Sequence, residues 1–103
     1  MDAIEKVRII VADIPPGSVA TYSDIGRALG IGPRQAGRAV SLLDDGVPWW
    51  RVVHADGTPA SCHEGAAQAL LEAEKVPFRS GRVHMAAVQA TGLRGTRRSR
   101  SMR

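Results

Sequence analysis

The sequence predicts a mostly α domain with a small β wing, of the winged helix-turn-helix type. Three observations predict it. Two short helical patterns are separated by a tight Gly-containing turn at Gly30-Ile31-Gly32. A longer amphipathic pattern precedes them. Short β-rich pieces with an Asp-Gly turn between them follow.

Asp2 caps a first helix over residues 3–13, with Ile4, Val7, Ile10, Val11 and Ile14 at helical spacing. Ile14-Pro15-Pro16-Gly17 ends it, because a proline disfavours helix in the residue before it and Pro-Gly marks a turn. Val19 and Ala20 read as a short extended link. Thr21 or Ser23 caps a second helix through Leu29, and Gly30 stops it. A third helix starts at Pro33, a residue suited to the first helical turn, and runs to about Leu43.

Arg34 and Arg38 are four apart on that third helix and share a face. Ala36, Gly37, Ala39 and Ser41 keep its surface small. Two readings fit: close packing against another element, or a helix that approaches a groove without bulk. Asp44-Asp45-Gly46 is a turn. Trp49 to His54 alternates and reads as a strand, with Asp56-Gly57 as the turn after it. Residues 58–63 read as a loop and Glu64 to Lys75 as an amphipathic helix. Val76 to Phe78 and Arg82 to Val88 read as the strands of the wing.

At 103 residues this is one small domain, and 44% apolar residues suffice for a core. No run of about 18 apolar residues predicts a membrane span. The N-terminus lacks the layout of a signal peptide. The single cysteine excludes an internal disulfide and fits a reducing cytoplasm, at the nucleoid if the source is bacterial. The net charge is +4, but Arg94, Arg97, Arg98, Arg100 and Arg103 carry +5 of it, which leaves −1 on residues 1–91. The domain is therefore placed at 1–91 and a basic disordered tail at 92–103. That tail is either a solvated terminus or a phosphate-binding arm.

Catalytic signals are sparse. Cys62 is the only thiol, and adjacency in sequence does not set the His63 ring against its sulfur. His54, Cys62, His63 and His84 lack zinc-site spacing, so no metal and no cofactor are expected. Successive strand residues face opposite ways, so Trp49 and Trp50 would not share a pocket on a regular strand.

Pro48-Trp49-Trp50-Arg51-Val52-Val53 completes an ordered set of motifs. It joins Ile14-Pro15-x-Gly17, Val19-x-Thr21-Tyr22, Ile25-x-x-x-Leu29-Gly30, Ala36-x-Arg38-x-Val40, Asp56-Gly57 and Leu70-Leu71-x-x-Glu74. From Val7 to Phe78 the chain resembles the DNA-binding domain of the O6-alkylguanine-DNA alkyltransferases. Those enzymes carry Pro-Cys-His-Arg-Val where this chain has Pro48 to Val52. Trp49 replaces their acceptor cysteine and Trp50 the histidine that activates it, as in the alkyltransferase-like proteins. The Asn-Pro hinge is also missing.

The resemblance implies a non-enzymatic sensor of O6-alkylguanine. It would dock in the minor groove of duplex DNA, flip the base and flag it for nucleotide excision repair proteins. Arg38 matches the arginine that fills the vacated stack, and Tyr22 the tyrosine that touches the flipped base. Trp49 and Val52 match positions whose backbone reads the guanine edge, and Cys62-His63 the loop that closes over it. The implied DNA-binding residues are Tyr22, Arg34, Ala36, Gly37, Arg38, Ala39 and Ser41. The implied lesion pocket is Tyr22, Trp49, Val52, Cys62 and His63. Glu74, with no histidine to orient, reads as structural. A monomer without a membrane partner is expected. The alternatives are an alkyltransferase using Cys62, a sequence-specific winged-helix regulator, and a protein-interaction module.

Overall fold

The computed structural model describes residues 2–88, so the boundary expected at 91 and the basic tail lie outside the described residues. Helix α1 spans Ala3–Ala12. Asp2 caps it by accepting the Glu5 N–H at 2.9 Å. Val7, Ile10 and Val11 face inward. Pro15 prevents continuation, and the helix tightens into i→i+3 bonds from Asp13 and Ile14. The chain then reverses through Pro15-Pro16-Gly17-Ser18, closed by Ser18 N–H to the Pro15 carbonyl, with Gly17 at φ +84°. That is the type II pattern, with proline second and glycine third.

Strand β1 (Ala20–Thr21) leads directly into α2 (Tyr22–Leu29). Thr21 accepts from Asp24 N–H at 2.9 Å and Asp24 accepts from Thr21 N–H at 3.0 Å, a reciprocal capping box. Gly30 stops α2 in the left-handed region at φ +73°. A Cβ on Gly26 would lie 2.5 Å from the Ile31 carbonyl oxygen, so only glycine lets the turn fold this close to α2. Helix α3 (Pro33–Ser41) starts on proline, with Gln35 reaching back to the Gly32 N–H at 3.1 Å.

Helices α1, α2 and α3 bury Val7, Ile10, Ile25, Ala36, Ala39 and Val40 in one cluster with Leu43, Trp49 and Val52. Each fully buried aliphatic side chain contributes about 1.5–3 kcal/mol. A second, smaller cluster of Val19, Val53, Leu71, Val76 and Val83 lies under the wing. The wing is the antiparallel pair β3 (Phe78–Arg79) and β4 (Arg82–Val83). Ser80 and Gly81 both have positive φ, 54° and 80°, the type I′ turn suited to a two-residue hairpin.

Several sequence expectations are corrected. The strand expected over Trp49–His54 is a 3₁₀ turn, Trp49–Arg51, followed by a two-residue strand β2, Val52–Val53. Arg51 N–H bonds the Pro48 carbonyl and winds the chain there. Strand alternation therefore does not separate the two tryptophans, whose rings meet edge to face at 5.7 Å. The Val19-Ala20 link is half a parallel pair: Ala20 faces Val52 and Thr21 faces Val53.

The helix expected over Glu64–Lys75 is interrupted. His63, Glu64 and Gly65 all have positive φ, and only Ala67–Ala73 forms the α-helix α4. The expected strand Arg82–Val88 pairs only over Arg82–Val83. Its partner, expected over Val76–Phe78, is Phe78–Arg79, and Met85–Val88 forms a helical turn, α5.

Candidate nucleic-acid interface

An open groove of about 370 Å³ lies on the outer side of α2 and α3. Arg34, Gly37 and Ser41 come from one stripe of α3, three and four residues apart. Tyr22 enters from the first position of α2, His54 from the end of β2, and Ser61 and Cys62 from the loop before α4. The capping box at Thr21 sets the direction of Tyr22, and the β1–β2 pairing brings His54 beside it. Their ring centroids are 5.0 Å apart. A Cβ on Gly37 would stand 3.6 Å from the Tyr22 ring, so glycine keeps this wall shallow. Burial, with the neighbouring Cys62 adding to it, pushes the Tyr22 hydroxyl up to about 12, so it stays a neutral donor.

The groove-side face of α3 is cationic. Arg34 and Arg38 are exposed and have no carboxylate within ion-pair distance among the described residues, whereas Arg27 on α2 is held by Asp24 at 3.4 Å. Arg38 lies beside the groove rather than in its lining.

Several expected site residues lie elsewhere. Ala36 and Ala39 point into the core at 0% and 4% exposure, because at 100° per residue they fall on the face that meets α1 and α2. They set how closely α3 packs and are not part of its outer surface. Val52 is also fully buried. Trp49 is 1% exposed, its N–H donates to Asp45 at 2.8 Å, and one face is covered by His63 at 3.8 Å between ring centroids. No Trp49 surface lines the groove.

His63 is fixed on both nitrogens. Nε2 is 2.6 Å from the Leu43 carbonyl oxygen and Nδ1 is 3.0 Å from Cys62 Sγ. A carbonyl can only accept, so Nε2 carries the hydrogen and Nδ1 of the neutral ring accepts from the thiol. Adjacency in sequence therefore does bring this ring onto the sulfur. Burial pushes the thiol up from its ordinary value, so Cys62 stands as S–H and not as thiolate.

The Pro48-x-x-Arg51 motif does structural work. Arg51 Nε bonds Glu74 at 2.9 Å, Nη1 bonds the Ile14 carbonyl at 2.7 Å, and Nη2 also bonds Glu74. Trp50 N–H donates to the same carboxylate at 3.1 Å. This cluster joins the end of α1, the 3₁₀ turn and the end of α4. It accords with the structural reading of Glu74. Sequence reasoning missed His54, Pro33 and Ser61 in the groove. For His54 a signal existed, since it directly follows the Val-Val strand.

Residues 2–76 match the family model of the 6-O-methylguanine DNA methyltransferase DNA-binding domain. The chain belongs to this family. Among methyltransferase-domain relatives, alkyltransferase-like protein 1 of Schizosaccharomyces pombe is 42% identical over 57 residues, covering 52% of this chain and 53% of the relative. The DNA base-flipping protein of Escherichia coli is 41% identical over 58 residues, covering 52% and 45%. The chain thus spans about half the length of the curated relatives it matches.

Solved structures extend the likeness. The S. pombe alkyltransferase-like protein in complex with DNA containing O6-carboxymethylguanine superposes with a TM-score of 0.75 at 30% identity, over 85% of this chain and 94% of that one. The Mycobacterium tuberculosis O6-methylguanine methyltransferase gives 0.65 at 28% identity, over 78% and 52%. Among the described residues no group of three or more His, Cys, Asp or Glu is arranged to hold a metal ion. No helix there is long and apolar enough to cross a membrane.

Proposed function

We propose that this chain recognises O6-alkylguanine in duplex DNA without removing the alkyl group. The exposed face of α3, carrying Arg34, Gly37, Arg38 and Ser41, docks in the minor groove. The target base rotates out toward Tyr22 and His54, and Arg38 fills the vacated stack. Flipping costs a few kcal/mol, less for a poorly paired damaged base, which favours the lesion before any contact forms. An inserted side chain offsets part of that cost, and a small-surfaced helix suits minor-groove docking on bent DNA. The bound complex flags the lesion for nucleotide excision repair.

One observation carries this reading: an open groove persists beside Tyr22 while the motif position of the acceptor cysteine is Trp49, buried beneath His63. Binding is to be measured on one duplex with O6-methylguanine and on the same duplex with guanine, at two salt concentrations. Tighter lesion binding that survives the higher salt supports the reading. Equal, salt-labile binding overturns it, since only generic phosphate contacts then remain.

A second reading has its own observation. The Cys62–His63 pair at 3.0 Å, with Cys62 in the groove, is a thiol beside an acceptor nitrogen. If Cys62 accepted the alkyl group, intact-mass measurement after incubation with alkylated DNA would show a stoichiometric gain on the protein. The sensor reading expects no gain.

A further inference from the structure

A second concave site lies on the wing, outside the groove used above. Its volume is about 340 Å³, and Asp56, Arg79, Ser80, Arg82, His84 and Met85 contribute to its walls. Arg79 and Arg82 stand directly opposite each other across the hairpin. Like charges so placed repel and destabilise the pair. Neither is neutralised within the wing. Arg79 has no carboxylate within ion-pair distance among the described residues. Arg82 has only Asp56, at 3.9 Å and exposed. That carboxylate is already engaged by the Thr58 N–H at 2.9 Å and hydroxyl at 2.6 Å. An anion between the two guanidinium groups would relieve the repulsion.

The hairpin is also built to hold position. Its two-residue turn has both left-handed φ values that a type I′ turn requires. Val83 is buried and its N–H bonds the Gly57 carbonyl at 2.9 Å, while His84 N–H bonds the Pro77 carbonyl at 2.9 Å. A Cβ on Gly57 would lie 2.5 Å from the Val83 carbonyl oxygen, so the wing is pressed against this turn. Two arginines presented from a fixed backbone lose less freedom on binding than arginines on a loose loop.

The two sites adjoin. His54 lines the α3 groove and Asp56 lines the wing site, and the turn between them is closed by Gly57 N–H to the His54 carbonyl at 2.8 Å. Two residues of backbone span at most about 7 Å. Duplex DNA carries one charge per ~1.7 Å of its axis, so a duplex seated over the first site offers phosphates at the second.

We propose that Arg79 and Arg82 clamp a phosphodiester of the DNA whose damaged base occupies the α3 groove. This rests on the DNA-binding reading above and adds an anchor on the wing. The clamp reads no sequence and no lesion. It holds the duplex in register while the base turns out.

The test compares the full chain with Arg79→Gln/Arg82→Gln and Arg79→Lys/Arg82→Lys on the two duplexes, over a salt series from 50 to 200 mM. Circular dichroism confirms that each variant is folded. Two lost phosphate contacts lower the slope of log affinity against log salt by about 1.8, so the wild type loses roughly tenfold more affinity than the Gln variant across that range. The Lys variant keeps the wild-type slope, and the ratio of lesion to guanine binding is the same in all three. An unchanged slope in the Gln variant overturns the clamp while leaving the lesion reading intact. A lowered slope with no lesion preference in the wild type keeps the clamp and overturns the lesion reading. Absence of DNA binding by the wild type overturns both.

Discussion

The His63 imidazole lies flat on the Trp49 indole, with 3.8 Å between ring centroids and 11° between planes. This contact places the motif tryptophan in the core and turns the loop histidine into its cover. Trp49 is among the largest fully buried side chains. Trp49→Ala therefore costs about 3–5 kcal/mol of stability, the range for emptying a buried aromatic position. Urea denaturation checks this. A loss under about 1 kcal/mol would mean the ring is a pocket wall and not core.

Glu74 collects three donors from Arg51 and Trp50. The Arg51 hydrogen bonds hold its carboxyl below the ordinary carboxylate value, helped by Trp50 and the Gly17 N–H and opposed by burial. Its folded value lies below its unfolded one. The stabilisation is thus fully present above about pH 4.5 and is lost as pH falls through the depressed folded value. Glu74→Gln should cost about 1.5–3 kcal/mol near neutrality, the range for hydrogen bonds to a charged group at this half-buried site. It should also flatten the acid limb of a plot of urea midpoint against pH.

Gly37 is a helical residue, so alanine there should raise helix stability by roughly 0.8–1 kcal/mol. The added methyl meets the Tyr22 ring at ordinary contact distance, 3.6 Å, and narrows the groove. Gly37→Ala should therefore melt at a higher temperature and bind O6-methylguanine DNA more weakly. Higher stability with unchanged affinity would remove this wall from the binding surface.

Tyr22 is the single tyrosine of the chain, so its titration can be followed alone by phenolate absorbance. The midpoint should lie near 12, against an ordinary value of 10. Stability drawn from the neutral hydroxyl is complete below pH 10 and is lost as pH rises through 12. A midpoint at 10 would place the ring in free solvent.

Arg38 is exposed beside the groove and has no ion-pair partner among the described residues. Arg38→Ala should leave the urea midpoint unchanged and weaken lesion binding by more than about 1 kcal/mol, the low end for a charged contact. Unchanged affinity for the O6-methylguanine duplex would end its insertion role.

Local rules made much of the helical frame legible. Asp2, Thr21 and Gly30 act as caps and stops through contacts with residues three or four positions away and Pro33 starts α3 by its fixed φ, so sequence alone pointed to them, leaving only Thr21 or Ser23 open as the second cap. The motif order from Ile14 to Glu74 likewise carried the family. Where sequence reasoning stopped, the deciding partners were distant. The 3₁₀ turn at Trp49–Arg51 is held by Glu74, more than twenty residues on, and by Ile14, more than thirty residues back. The parallel pairing of Ala20 with Val52, which sets His54 against Tyr22, is equally remote.

The sequence by itself determined the helix-turn-helix, the small-residue third helix and the absence of a cysteine at position 49. Tertiary structure alone decided which small residues face out. Ala36 and Ala39 share the composition of Gly37 and Ser41, but only the latter pair line the groove. Small residues occur on both faces of α3, so composition alone does not choose between them. Packing against α1 and α2 makes that choice, and so determines what a ligand can touch.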